Sequence, residues 1–392
     1  MTRRKILILL FALLLVCIGA STLFYLALGR SINFAGFISN GRTSAIRVPP
    51  GFKATLFASD LNGPRFIHFG PDGVLYVADR RNNRIVALPD KDNNGRADEI
   101  RIFAAEINLP HSLVYHEGAW YVGVPSGLIR LENRDGDGRA DFRTTLIDSF
   151  TPPGQHSTRT VEFFPDGRLL ISAGSTCNVC DEEDPRRAAI TVYDNPAGQN
   201  IVTGERLFAS GIRNAVGLAI HPETGELWAS NNGRDLMGDD LPPETIYIVR
   251  DGGNYGWPTC HNGHIVDPDM GFAGACEGVE PPLVEMQAHM APLDIAFYNG
   301  TAFPETYQGD LFIAQHGSWN RSELVGYKIS RLPLDGSVPT GPVEDFATGW
   351  LDDDGSVNGR PVGLVVGPDG ALYVSDDTAG LIYRIIYEGI ED

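Results

Sequence analysis

Polar residues stand directly before short apolar runs at recurring places in the chain. Arg65 precedes FIHF, His111 precedes SLVY, and His156 and Arg159 precede TVEFF. Arg213 and Asn214 precede AVGLAI, His289 precedes APLDIAF, and Arg360 precedes PVGLVV. Arginines that converge on a concave site bind an anion with several carboxylates or phosphates, because guanidinium forks take such groups bidentately. A histidine among arginines is kept neutral by like charge and can act as a base at pH 7. The loop NNGRDLMGDDLPPE, from Asn231 to Glu244, is rich in carboxylates, Asp235, Asp239 and Asp240 among them, and carries Gly233 and Gly238, so it offers backbone carbonyls together with carboxylates. That oxygen set suits a hard cation such as calcium. DKDNNGRAD from Asp90 and NRDGDGRAD from Asn133 share the opening spacing of calcium loops, but Arg101 and Thr144 stand where a bidentate Glu belongs. Weak calcium sites and plain acidic hairpin turns both fit these two segments.

The elements that must carry these residues repeat. FGPDGVLYVAD, FFPDGRLLISAG, IHPETGELWASN and VGPDGALYVSDD are four copies of one pattern, and YHEGAWYVGV and FYNGTAFPETYQGDLFIA are two weaker ones. Each is a short apolar strand, a tight glycine turn and a second strand, the signature of a hairpin. The turn glycines, Gly73, Gly118, Gly167, Gly225, Gly300 and Gly370, lie 45 to 75 residues apart. Six such units predict an all-β, six-bladed β-propeller, with a β-sandwich as the alternative. In a propeller the innermost strand of each blade lines the central channel, so the residues before those strands gather at one rim.

The chain has 392 residues, 43% of them hydrophobic, with 45 Gly and 26 Pro. That content supports a large core and many turns, and it excludes disorder as the main state. Fifty acidic against 31 basic residues give a formal charge of -19, which disfavours nucleic acid as a partner. Arg3, Arg4 and Lys5 precede a run from Ile6 to Gly29 with no charged side chain. As a helix this run is long enough to cross a bilayer, and the basic cluster would stay cytoplasmic. The reading is one N-terminal transmembrane helix or signal segment over residues 1–30, a linker over 31–47, and the propeller over 48–392. The propeller then lies in the periplasm or extracellular space, either membrane-anchored or secreted after cleavage. Beyond Cys17 in the apolar run, four cysteines remain, and in an exported domain they read as two disulfides, most simply Cys177 with Cys180 and Cys260 with Cys276. A redox or metal site at CNVC is the sharper alternative, although Asp181 stands where covalent haem attachment would need His.

Several longer segments carry a resemblance: HSTRTVEFFPDG, SGIRNAVGLAIHP, NNGRDLMGDDLPPE, GGNYGWP, AQHGSWNRS and GRPVGLVVGPDG. In this order, between about Val48 and Tyr387, the chain resembles the sorbosone dehydrogenase and soluble glucose dehydrogenase family. These are six-bladed propellers that use pyrroloquinoline quinone (PQQ) with calcium. The resemblance implies that His156 is the catalytic base and that Arg213 and Asn214 contact the cofactor, with Arg213 also orienting substrate. It implies that the carbonyls of Gly233 and Arg234 hold the calcium, that Arg360 pairs with a cofactor carboxylate, and that His316 to Arg321 supplies another basic contact. Arg65, His111 and Arg159 complete the expected cofactor set. MQAHMAP stands where the soluble glucose enzymes carry a tryptophan near the cofactor, so that stacking contact is either lost or supplied by Trp319. His111 stands near a substrate-side glutamine of those enzymes. The resemblance therefore implies oxidation of a sugar, an aldose or a sorbosone-like substrate, with electrons passed to an external quinone or cytochrome. A calcium-dependent lactonase on the same propeller, and a non-catalytic glycan- or protein-binding propeller, are the alternatives.

Overall fold

The computed structural model describes residues 46–150, 154–194 and 200–390. It is a six-bladed β-propeller in which each blade is a four-stranded antiparallel sheet, the third with a short fifth strand added in parallel. The innermost strands are Pro64–Phe69, Ser112–His116, Arg159–Phe163, Ala215–Ile220, Pro292–Phe297 and Pro361–Val366. Each is paired by a hairpin to a second strand, the six being Leu75–Asp79, Ala119–Val124, Leu169–Ala173, Leu227–Asn231, Leu311–Gln315 and Leu372–Asp376. Second strands are sandwiched on both faces and read as continuous apolar runs, such as the wholly buried Leu75–Asp79. Outer strands face water on one side and alternate, as Phe142–Ile147 does.

The sixth blade is composite. Its inner three strands come from the end of the chain, and its outermost is Phe52–Ala58, paired antiparallel with Leu381–Tyr387. Five of the six turn glycines named above adopt the left-handed conformation their tight turns require; Gly300 does not. In the fifth blade the hairpin is longer, with a 3-10 turn at Glu305–Tyr307, and Gly309 (φ 77°) takes the left-handed position.

Adjacent blades are stitched near the inner strands. Ser172, Ser230 and Ser375 each donate an Oγ–H to a main-chain carbonyl of the next inner strand, those of Ala215, Leu293 and Arg65, all at 2.6 Å. A Cβ at Gly363 would stand 2.8 Å from the Arg65 carbonyl, so only glycine permits this approach. Aromatic pairs seal the blades farther out: Tyr76 with Trp120 at 4.3 Å, His116 stacked on Phe163 at 4.0 Å, and Phe69 against Tyr373 at 5.0 Å. Each adds about 0.5–1.5 kcal/mol beyond the area it buries. The result is a rigid ring whose strand feet are fixed to one another.

Both expected disulfides, Cys177–Cys180 and Cys260–Cys276, are formed. The second braces the insertion between Asn231 and Val284. The segments at Asp90 and Asn133 are exposed turns whose side chains cap their own backbone, Asp90 taking the amides of Asn94 and Gly95 and Asn133 that of Gly136. No helix among the described residues is long and apolar enough to cross a membrane, and the proposed span from Ile6 to Gly29 lies outside the described residues.

Candidate active site

The feet of the inner strands surround a pocket of about 510 Å³ at one mouth of the channel. The structure brings Arg65, His156, Arg213, Asn214, Gly233, Asp235, His316, Trp319 and Arg360 to its wall, all expected from the sequence. His289 lines it too, with both itself (φ 68°) and Ala291 (φ 53°) in left-handed backbone and its Nε2–H donated to the Gly238 carbonyl at 2.8 Å. Strain of this kind persists where the surrounding structure fixes it, as at ligand sites.

His156 rests against Ser175, its Nδ1 lying 2.9 Å from the main-chain carbonyl and 3.0 Å from the hydroxyl. With Nδ1–H donated to that carbonyl, Nε2 carries the free lone pair. Desolvation, and next the charge of Arg213, hold the imidazole pKa down to about 3, so it is neutral at physiological pH. Its carbonyl is gripped by Arg187 at 2.9 Å and Arg159 at 3.3 Å.

Arg213 is 3% exposed, and every face of its guanidinium is engaged. Nη1 donates to the Gly233 carbonyl at 2.6 Å, Nη2 to the Asp235 carboxylate at 2.9 Å, and Nε to the Asn178 carbonyl at 3.0 Å. Across the pocket Arg65 Nη1 donates to Asp377 Oδ2 at 2.7 Å, and His316 Nε2–H donates to Asp377 Oδ1 at 3.0 Å. Arg81 reaches the Asp377 carbonyl at 3.2 Å, and Arg360 donates to Gly317 O at 3.2 Å and Tyr327 Oη at 3.1 Å.

Asp377, Arg81 and Thr378 line the pocket from outside any expected segment, and Asn232, Glu244 and Asn320 line it from within the expected segments 231–244 and 316–321 without having been singled out. Asp377 carried one visible signal. VGPDGALYVSDD matches FGPDGVLYVAD through Asp376 and Asp79, which cap local backbone, and Asp377 then stands where the first copy has Arg80.

Three expected cofactor contacts lie elsewhere. His111 is fully buried behind Arg65, accepting its Nε–H at 3.3 Å and packing on Phe66 at 4.6 Å. Arg159 is fully buried, spent on the carbonyls of Thr158 and His156 and on the Phe150 ring. Arg321 reaches Asp239 O and Asp240 Oδ1 outside the pocket. The expected metal carboxylates of Asp239 and Asp240 are accordingly turned to Arg321 and Ser322 instead. The Arg234 side chain is buried on Asp267 and Asp269, which leaves only its backbone as a donor.

The pocket wall sets four guanidiniums, Arg65, Arg81, Arg213 and Arg360, against the carboxyl groups of Asp235, Asp377 and Glu244, the last pushed up to about 8 by burial. It is a basic cavity in a chain of net charge -19. Asn214 Oδ1 is buried there with no protein partner. The guanidiniums fit an anion that carries several carboxylates, and the Asn214 oxygen offers an acceptor to a ligand N–H or O–H. Asn232, Gly233, Asp235 and Glu244 form a contiguous oxygen-bearing edge of the same wall, a donor set that fits calcium.

Comparison with known proteins agrees with this chemistry. A family model described as Glucose / Sorbosone dehydrogenase matches residues 127–384. An uncharacterized protein of Borreliella burgdorferi is 30% identical over 365 residues, covering 89% of this chain and 92% of that protein. A pyrroloquinoline quinone-dependent pyranose dehydrogenase of Coprinopsis cinerea is 27% identical over 406 residues, covering 87% of this chain. The chain spans only 54% of that enzyme's length. The holo PQQ domain of pyranose dehydrogenase from Coprinopsis cinerea superposes with a TM-score of 0.77 at 25% identity, covering 88% of this chain and 98% of the domain.

Proposed function

The chain belongs to the glucose/sorbosone dehydrogenase family, and from that premise we propose that it is a PQQ- and calcium-dependent dehydrogenase oxidising a sugar, an aldose or sorbosone-like substrate, outside the cytoplasm. The observation that carries the reading is the basic pocket with neutral His156 on its wall. PQQ, a tricarboxylate, would be held by Arg65, Arg81 and Arg360, with Asn214 and Arg213 against it and Trp319 beside it; Gly233, Arg234, Asp235 and Glu244 would hold calcium. When bound, the quinone supplies a two-electron acceptor and the calcium a Lewis acid.

The chain's own residues do the rest. Nε2 of His156 takes the proton of the substrate hydroxyl, while the Ser175 carbonyl keeps the other nitrogen protonated and the ring oriented. Arg213, its donors spent on Gly233, Asp235 and Asn178, is held in place beside the pocket and acts on the substrate oxygen through its charge. His316 and Arg65 are held by Asp377, and His289 and Trp319 close the remaining wall.

Two disulfides, which persist in oxidising surroundings, support a place outside the cytoplasm. The charge-free run from Ile6 to Gly29 behind Arg3, Arg4 and Lys5 supports a membrane anchor over residues 1–30, a linker over 31–47 and one catalytic domain over 48–392. Electrons pass to an external quinone or cytochrome; CNVC, followed by Asp181 rather than His, does not match a covalent haem site. A lactonase would want several acidic ligands on the axis, and the pocket wall here is mainly His and Arg.

The test is titration of the purified domain with PQQ in the presence of calcium, followed by a panel of sugars. Saturable absorbance of bound cofactor, bleached by one sugar class, is the expected result. An absence of saturable binding would overturn the reading.

A further inference from the structure

The four-residue ring closed by Cys177–Cys180 lies against both working side chains of the pocket. Asn178 Oδ1 accepts from Arg213 Nη2 at 2.9 Å and from the Asp235 amide at 2.9 Å. Its Nδ2 donates to the Asp235 carbonyl at 3.0 Å. Its main-chain carbonyl takes Arg213 Nε at 3.0 Å and the Trp257 indole N–H at 3.4 Å. One residue earlier, the Cys177 carbonyl accepts the Ser175 hydroxyl at 2.6 Å, and Ser175 in turn orients His156.

We infer that Asn178 is a positioning residue that fixes the plane of Arg213 and the 233–235 loop together, and that the Cys177–Cys180 disulfide is the latch that holds it in place. This rests on the reading of Arg213 and His156 given above. A guanidinium has five donors in one plane. Gly233 and Asp235 hold one edge of Arg213, and Asn178 holds the other with both its carbonyls. Without Asn178 the plane can turn about the remaining edge. An amide suits the position because it offers an acceptor to Arg213 and a donor to Asp235 O at once. Aspartate keeps both acceptor bonds and loses the donor; alanine loses all three side-chain bonds.

The variants are Asn178→Ala, Asn178→Asp and the pair Cys177→Ala with Cys180→Ala, made in the complete chain. The first measurement needs no cofactor: hydrogen exchange of the Asp235 amide in the calcium-free and PQQ-free protein. Asn178→Ala and the cysteine pair should speed that exchange about tenfold or more, as a lost hydrogen bond of about 1.4 kcal/mol would, while Asn178→Asp keeps it near the native rate. The second measurement is PQQ titration and sugar oxidation. Asn178→Ala should lower kcat about 100-fold, the scale of a small misplacement of a catalytic group, with KM for the sugar little changed and the melting temperature near native. Asn178→Asp should recover most of that loss.

Unchanged Asp235 exchange in Asn178→Ala overturns the inference, as does faster exchange with native kcat. Native behaviour of the cysteine pair overturns the latch. If the native protein binds no PQQ, the functional reading falls instead, and the exchange measurement alone judges whether Asn178 holds the loop.

Discussion

Asp377 offers a quantitative test of how the pocket is held together. Its carboxylate is paired with Arg65 at 2.7 Å and with His316 at 3.0 Å, and the ion-paired side chains of Arg65 and Asp377 are only 10% and 11% exposed. These partners, His316 before Arg65, hold its pKa well below the usual carboxylate range against the opposing effect of burial. Asp377→Asn preserves shape and removes the charge, leaving the Arg65 guanidinium without its counterion. Removing one partner of a buried pair costs about 3–5 kcal/mol. A domain of roughly 340 residues unfolds with an entropy near roughly 0.7 kcal/mol/K. The melting temperature of the cofactor-free protein should therefore fall by about 4–7 °C.

The pH dependence has a definite sign. A carboxylate whose folded pKa is depressed contributes stability that is present above its unfolded pKa and lost as pH falls through the folded one. The gap between native and variant proteins should then stay constant from pH 8 to about 5 and begin to narrow only below about 4. Calorimetry on both proteins, with Arg65→Met and the double variant to close the cycle, reads this directly. A shift under about 1 °C at pH 7, or a gap that closes between pH 7 and 5, would refute the reasoning; either would mean that the pair contributes little.

Three further outcomes are expected. His156→Ala should lower kcat by about 10²–10⁴ through loss of the base while PQQ binding persists, and single-turnover kinetics with PQQ-loaded protein measure it. In the cofactor-free protein, NMR titration should find His156 neutral down to about pH 4, since burial and Arg213 hold it near 3; below about 6.5 the unfolded chain takes up the proton first, so this site costs stability as pH falls, and His156→Gln should remove that part of the slope. Asp239→Asn and Asp240→Asn should leave calcium affinity unchanged by calorimetric titration, because both carboxylates face Arg321 and Ser322 outside the pocket.

The blades are legible because the hairpin repeats every time a blade does, and five of the six copies bring the same apolar strand and glycine turn. The strand that closes the ring is not, since FKATLFA belongs to no repeat and its partner LIYRIIY lies over 300 residues away. The rule that polar residues before inner strands meet at the mouth found Arg65, His156, Arg213, Asn214 and Arg360. It also picked His111 and Arg159, which share the position in sequence but are drawn behind it by Arg65, Phe66 and Phe150. It could not find Asp377, Glu244 or Arg81, which enter from other strand ends. Sequence spacing fixes which end of a strand a residue occupies; which neighbour captures its charge is decided between blades, as Arg65 and Asp377 show at a separation of 312 residues.

The composite sixth blade also dictates the order in which the protein can be made. Phe52–Ala58 is synthesised first and must wait for Leu381–Tyr387 before it has an edge to join. Until then the nascent chain holds an unpaired edge and an open ring, both invitations to association. Arg65 and Asp377, one near each end of the ring, meet across this seam. The ring can therefore seal only once Leu381–Tyr387 has been made, and a product truncated before Leu381 would leave Phe52–Ala58 without a partner strand.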